Sequence, residues 1–274
     1  MDALAPVIDH LASAAPCWAF AFAFMTALEL LLPRSRTSIR GRLPGLLFWA
    51  IFLPVNALGL ALFRELWALI GIHPLISLPL TMSWTGALAW IAAPIAGAVV
   101  GDFFFYWFHR AQHRWFWRYH AVHHSIRELS AVNAFHHISE PIFYSLLFII
   151  PTSLILSDTG PVAPLMTVIL FLHSSYIHSP AAVDFGPLRS GFVDNRFHRI
   201  HHSLEEKHFD RNFGAFTTVW DRLFRTAWFP AKDEWPDTGL AEVDQPRTVG
   251  DWLTLPARYN AGSAAAPVAD EVPA

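Results

Sequence analysis

The stretch DFFFYWFHRAQHRWFWRYHAVHHS, Asp102–Ser125, decides the fold class, because an unbroken aromatic and apolar segment runs straight into histidines at helical spacing. Residues three and four apart share one face of a helix, so His109 projects with His113, and His120 with both His123 and His124. Each set is a preformed chelating face. Neighbours on a helix diverge by about 100°, so His123 and His124 point apart and can serve two different ions. The same HxxHH box recurs at His198, His201 and His202, and thirteen of the fifteen histidines lie between His109 and His208. Neutral imidazole offers a lone pair near physiological pH and is a common ligand of iron, zinc and copper. Repeated boxes of this kind predict a polyhistidine centre holding more than one ion.

The surroundings predict a membrane protein. Apolar residues make up 54% of the 274-residue chain and charged residues only 15%, against roughly 25% in soluble domains; the mean hydropathy is +0.35. Apolar runs occupy Cys17–Leu32, Leu43–Phe63, Gly86–Phe108, Ile142–Leu156 and Val162–Tyr176. A bilayer core takes about 20 helical residues. The second and third runs are long enough, and the first becomes so if Ala14 and Ala15 extend it beyond Pro16. The last two, divided by the turn-forming Ser157–Pro161, read as a tilted pair or a re-entrant hairpin. The expectation is an all-α polytopic protein with four to five transmembrane or re-entrant helices and a cytoplasmic, histidine-rich helical cap. Asp2 and Asp9, with no Lys or Arg before the first run and no small-residue cleavage site after it, argue against a signal peptide.

Charge orients the chain. The loop after the first run carries Arg34, Arg36, Arg40 and Arg42, whereas His73–Thr85 carries no Lys or Arg, so the first loop is expected in the cytoplasm. Following the helices forward puts Arg110, Arg114, Arg118 and Arg127 on that side, and with them all three boxes. Distant histidines can meet only if they share one face of the membrane. The membrane domain is read as residues 1–232, with its histidine-box core at about 101–226. The stretch 233–274 reads as a polar C-terminal tail whose end, from Asn260, is disordered.

Several residues lie outside the boxes. His10 and His73 have no partner at ligand spacing and read as satisfied or solvated side chains. His136 and His137 are adjacent and shortly precede Glu140; His173 and His178 stand near the end of the last apolar run, where an ionisable group needs a partner. The roles of His136 and His208 stay open. Carboxylates orient ligand imidazoles through their second N–H. Asp102, seven residues before His109 and nearly on its helical face, is the clearest candidate; Glu140, Asp194, Asn212 and Asp221 are the others. The aromatics around Phe103–Phe108 and Trp115–Tyr119 read as an interfacial anchor. Cys17 is the sole cysteine, which excludes an intramolecular disulfide or a thiolate-held cluster. A net charge of −3 gives no sign of nucleic-acid binding, and no glycine-rich phosphate loop occurs.

In order, DFFFYWFHRAQH, WRYHAVHHS, HISE, IHSPAAVDFGPLR, NRFHRIHHS and DRNFGAFTTVWDRLFRT resemble the fatty acid hydroxylase and sterol desaturase superfamily of membrane di-iron enzymes, over roughly Gly101–Thr226. The resemblance implies two iron ions on the cytoplasmic face of the membrane, O2 as co-substrate, and hydroxylation of a C–H bond in a lipid such as an acyl chain or sterol. Desaturation by the same centre is the alternative. It carries the ligand role to His109, His113, His120, His123, His124, His198, His201 and His202, and further to His137 and His178, with His173 as a related candidate. At HISE the chain departs from the usual family pattern: Ile138 stands where a proline usually follows the histidine, and Phe135 where an arginine usually precedes it. The absence of a visible electron-carrier domain implies a separate donor, a reductase, ferredoxin or cytochrome b5-like protein, and the compact form resembles bacterial members, hence a bacterial inner membrane. A metal transporter, the rival of another class, would place ligands at mid-membrane and on both faces. A zinc hydrolase would need only three protein ligands and an HExxH motif, which is lacking.

Overall fold

In a computed structural model that describes residues 5–71, 75–77, 86–157 and 163–259, the chain is all-helical apart from one parallel pairing of two residues, Ile76–Ser77 with Leu156–Ser157. His73, the turn at 158–162 and the segment from Asn260 onward lie outside the described residues, as does the His10 side chain. Helix α1 spans Ala5–Leu31, α2 Leu43–Leu69, α3 Gly86–Trp115 and α4 Trp117–His124. After a loop come α5 (Glu140–Tyr144), a wider π-helical turn at Ser145–Ile149 and α6 (Ile150–Ile155). Then follow α7 (Ala163–Ile177), α8 (Asn195–His201), α9 (Val219–Leu223) and α10 (Val249–Arg258).

Helix α1 does run through Pro16, giving it 27 residues. Pro44 stands in the first turn of α2, where its missing N–H costs no hydrogen bond. Among the described residues one helix, Arg40–Leu69, is long and apolar enough to cross a membrane; Ala15–Leu31, Glu140–Ile155 and Val168–Ile177 are shorter apolar helices. Three of these helices meet in an aromatic knot, Phe22 of α1 lying 5.7 Å from Trp49 of α2 and 5.3 Å from Phe171 of α7, and Trp49 5.7 Å from Phe171. Such edge-on pairs add about 0.5–1.5 kcal/mol each beyond burial.

The loop at 125–137 is almost wholly buried, so its backbone needs internal partners. It finds them on the first two helices: Glu29 accepts from the Ala131 N–H at 2.7 Å while pairing with buried Arg42, and Trp49 donates to the Val132 carbonyl at 3.1 Å. Gly45 lets this loop lie directly on α2, since a Cβ there would meet the Val132 oxygen at 2.1 Å.

Residues 233–259, expected as a polar tail, instead pack into the cap. Helix α10 opens with a capping box, Thr248 and Asp251 each bonding the other's backbone N–H. Its apolar face buries Trp252 and Leu255 against Phe48, Val122 and Phe135, and Trp252 donates to the His136 carbonyl at 2.7 Å. The Pro- and acid-rich composition of 229–247 hid this short amphipathic turn from a compositional reading.

Candidate metal centre

Four helices deliver the histidines. Helix α3 ends in His109 and His113; Phe116, in a non-helical conformation, breaks the chain before α4 brings back His120, His123 and His124. His178 follows α7 directly. Helix α8 is started by Asp194, whose carboxylate accepts from the Phe197 N–H at 2.9 Å, and it supplies His198, His201 and His202 at its end.

Nine imidazoles fall into two groups, His109, His113, His120, His124 and His201, and His123, His178, His198 and His202; within each group the ligand-capable atoms all lie within 4.8 Å of one another. The HxxHH boxes are split between them: His123 and His202 join the group of four, and His124 and His201 the group of five. That division follows from the roughly 100° between helix neighbours.

Backbone carbonyls orient the rings. His109 donates Nδ1–H to the Phe213 oxygen at 2.8 Å, His123 to Phe135 at 3.0 Å, His178 to Ser174 at 2.8 Å and His201 to Arg211 at 2.7 Å. A neutral imidazole has one N–H, so each of these rings presents Nε2 as a bare lone pair. The Nε2 atoms of His123 and His178 face each other at 3.3 Å, and with both Nδ1 atoms donating, neither Nε2 carries a hydrogen to share. Among the described residues the Nε2 of His201 is buried without a partner, as are Nδ1 of His120, His198 and His202. Converging, dry lone pairs repel unless a cation stands among them. The donor set therefore fits a pair of metal ions bound by neutral nitrogens.

Electrostatics agree. Burial, reinforced by the neighbouring histidines, holds His120, His123, His124, His198, His201 and His202 well below the usual imidazole range. Burial lowers His178 to about 4. Each is neutral, and so competent to ligate, at pH 7.

The remaining expected residues go elsewhere. His137 faces away, its Nδ1 within 2.8 Å of the Ser139 hydroxyl and its ring 5.3 Å from Tyr119. His173 sits among Tyr176, Phe185 and Phe216. His136 stacks flat on His123, ring centroids 3.8 Å apart, and His208 joins Ser203 to Glu234; neither belongs to a group.

Asp102 touches no histidine: two helical turns put about 10 Å between it and His109. It instead accepts from the backbone N–H groups of Ala215, Phe216 and Thr217, each at 2.9 Å. Asp221 accepts from Phe213 and Gly214 at 2.8 and 2.7 Å. Together they clamp the 213–217 loop, whose Phe213 carbonyl orients His109. Asn212, with a φ of 59°, donates to the Phe197 and Trp228 carbonyls; it and Asp210 (φ 55°) flank Arg211, whose carbonyl meets His201. Short polar side chains tolerate this left-handed conformation best. Both carboxylate oxygens of Glu140 accept from the amide nitrogen of buried Gln112, each at 2.9 Å.

Sequence reasoning missed Asp210, which accepts Nδ1–H of His113 at 3.1 Å, and Gln112. Asp210 has no helical spacing to His113, and Gln112, although three residues after His109 on α3, is a neutral amide that a search for metal ligands and carboxylates passes over.

Residues 94–226 match the family model described as fatty acid hydroxylase. Over 153 residues the chain is 30% identical to the alkylglycerol monooxygenase of Danio rerio, covering 55% of this chain and 32% of that protein. Over 150 residues it is 31% identical to the ornithine lipid hydroxylase OlsE of Rhizobium tropici, covering 53% and 45%. The very-long-chain aldehyde decarbonylase GL1-5 of Oryza sativa subsp. indica is 30% identical over 149 residues, 50% of this chain and 23% of that protein. The chain thus spans about a third of the length of the alkylglycerol monooxygenases of Danio rerio and Homo sapiens, 32% and 34%, and less than half that of OlsE. No solved structure matches.

Proposed function

We propose, starting from the match of residues 94–226 to the fatty acid hydroxylase family model, that this protein is a membrane lipid hydroxylase built on two iron ions. The observation that supports it best is the pair of histidine groups with their facing, hydrogen-free Nε2 atoms. His109, His113, His120, His124 and His201 would hold one ion, and His123, His178, His198 and His202 the other. His137 and His173 fall outside this set. All-nitrogen ligation leaves each ion its full charge, unlike the carboxylate-rich sites of soluble di-iron bundles. Iron bound there supplies the oxygen-activating, C–H-oxidising chemistry, with O2 as co-substrate. The protein's own part is to keep the imidazoles neutral, fix their rings through backbone carbonyls, and exclude water behind buried Phe135, Phe197 and Phe213.

In this reading four to five apolar segments span or re-enter a bacterial inner membrane, the histidine cap faces the cytoplasm, residues 1–232 carry the membrane domain, and α10 completes its cap. Electrons come from a separate carrier, and the substrate reaches the site from the bilayer. The relatives named as hydroxylase and monooxygenase favour oxygen insertion over desaturation.

Metal analysis of the detergent-purified protein, together with lipid mass spectrometry of cells with and without it, tests the reading. The expected result is two irons per chain and a lipid heavier by one oxygen atom. A lipid lighter by two hydrogens would make it a desaturase, and purified protein without metal in cells with an unchanged lipid profile would overturn it.

A further inference from the structure

A cleft of about 380 Å³ lies outside both histidine groups, between the turn Gly186–Ser190 and α9, with Arg189, Arg222 and Phe229 on its walls. The two sides are stitched together: the Thr218 hydroxyl and the Arg222 guanidinium both donate to the Ser190 carbonyl at 2.9 Å, and the Thr217 hydroxyl to Gly191 at 2.8 Å. The mouth is thus a fixed feature.

What surrounds the cleft is apolar and uncovered. Leu188 and Leu223 are 64% and 63% exposed, Val219 and Phe229 44% each. Val219, Arg222 and Leu223 stand at i, i+3 and i+4 and share one face of α9. The adjoining face is pinned to α3: Trp220 donates to the Val99 carbonyl at 2.9 Å and lies 4.9 Å from Phe103, and Phe224, just after α9, lies 5.0 Å from Trp107. Val99 is about 15 Å back along α3 from His109, inside the apolar run of that helix. Helix α9 therefore sits beside a segment of bilayer composition, its apolar face turned outward and an arginine in the middle of it. An exposed apolar patch with a cationic side chain set in it marks an interaction site, and beside an apolar membrane helix its natural partner is lipid.

The charge is specific too. Arg189 is matched by Asp194, to which its Nε donates at 2.6 Å, whereas among the described residues Arg222 is held by a carbonyl alone. Guanidinium groups bind phosphate through paired N–H donors, and lysine does so less well. We infer that this cleft seats the phosphate of an anionic membrane phospholipid, with Leu188, Val219 and Leu223 against its acyl chains. The inference rests on the membrane reading above, and its test separates the two.

The full chain, with the exposed Cys17 replaced by serine, receives one spin label at Leu223→Cys or, as a control on α2, at Leu62→Cys, a position 62% exposed. In phosphatidylcholine–phosphatidylglycerol vesicles both labels are expected to collide with lipid-soluble oxygen rather than an aqueous nickel chelate. Native mass spectrometry is expected to show phosphatidylglycerol retained over phosphatidylcholine. Arg222→Gln should weaken that retention about tenfold, the loss of one charge-assisted pair, and Arg222→Lys should restore part of it. A Leu223 label in water while the Leu62 label is in lipid overturns the inference and makes the patch a protein-docking surface. Both labels in water overturn the membrane reading itself. A lipid-facing Leu223 label with retention unchanged by Arg222→Gln overturns the phosphate site.

Discussion

His123 and His178 meet as two acceptors with no donor between them, and that contact fixes what single substitutions should do. His178→Ala removes one of the four imidazoles of one group and leaves the group of five intact. The purified variant is expected to keep about half of the wild-type metal and to lose activity, whereas His137→Ala should keep all of it; metal analysis of both distinguishes these outcomes. The pH dependence follows from the lowered imidazoles. His178 titrates near 4 in the folded protein and near 6.5 when unfolded, so between those values the unfolded chain binds the extra proton. Metal-free protein should therefore lose stability as pH falls from about 6.5 toward 4, by about 1.4 kcal/mol per pH unit for each such histidine. Denaturant titrations at pH 7.5 and 5.5 test the sign; equal stability at both would mean solvated rings. The boxes, and the division of adjacent histidines between two groups, are legible in the sequence because helix spacing dictates both. That His137 turns away is not, since it depends on the Ser139 contact and on α10, far along the chain.

Among elements, the 213–217 loop matters most, because two buried carboxylates from α3 and α9 hold it against the end of α3. The sequence points to Asp102 and Asp221 as residues of the site but misreads their reach, for helix spacing reports direction around the axis and not distance along it. Asp221→Ala would strand the Phe213 and Gly214 N–H groups in a dry interior. It should cost about 3 kcal/mol, measured by chemical denaturation, and lower metal binding by freeing the carbonyl that orients His109. Gly214→Ala should act similarly, since its Cβ would meet the Thr217 oxygen at 2.5 Å. Normal stability in both variants would show that the clamp is dispensable. The existence of α1, α2, α3 and α7 was readable from apolar runs alone. The buried loop at 125–137 was not, because its partners Glu29, Arg42 and Gly45 lie about a hundred residues earlier.

At the scale of the molecule, the cap is closed by a part of the chain that composition assigns to a tail. A chain ending after Lys232 should misfold or lose its metal, having stripped Trp252 and Leu255 from Phe48 and Phe135. A chain ending after Tyr259 should bind metal as the full protein does, and size-exclusion chromatography with metal analysis separates the two. A reporter fused after Ala274 is expected to read as cytoplasmic; the opposite reading would break the proposed topology. The groups that aim His109, His123, His178 and His201 are main-chain oxygens, of Phe213, Phe135, Ser174 and Arg211. Every residue type carries such an oxygen, so each ring is aimed by where the chain runs, while Phe135 and Phe213 answer separately to their buried packing. The aim of these four imidazoles is thereby written in the chain path rather than in side-chain identity.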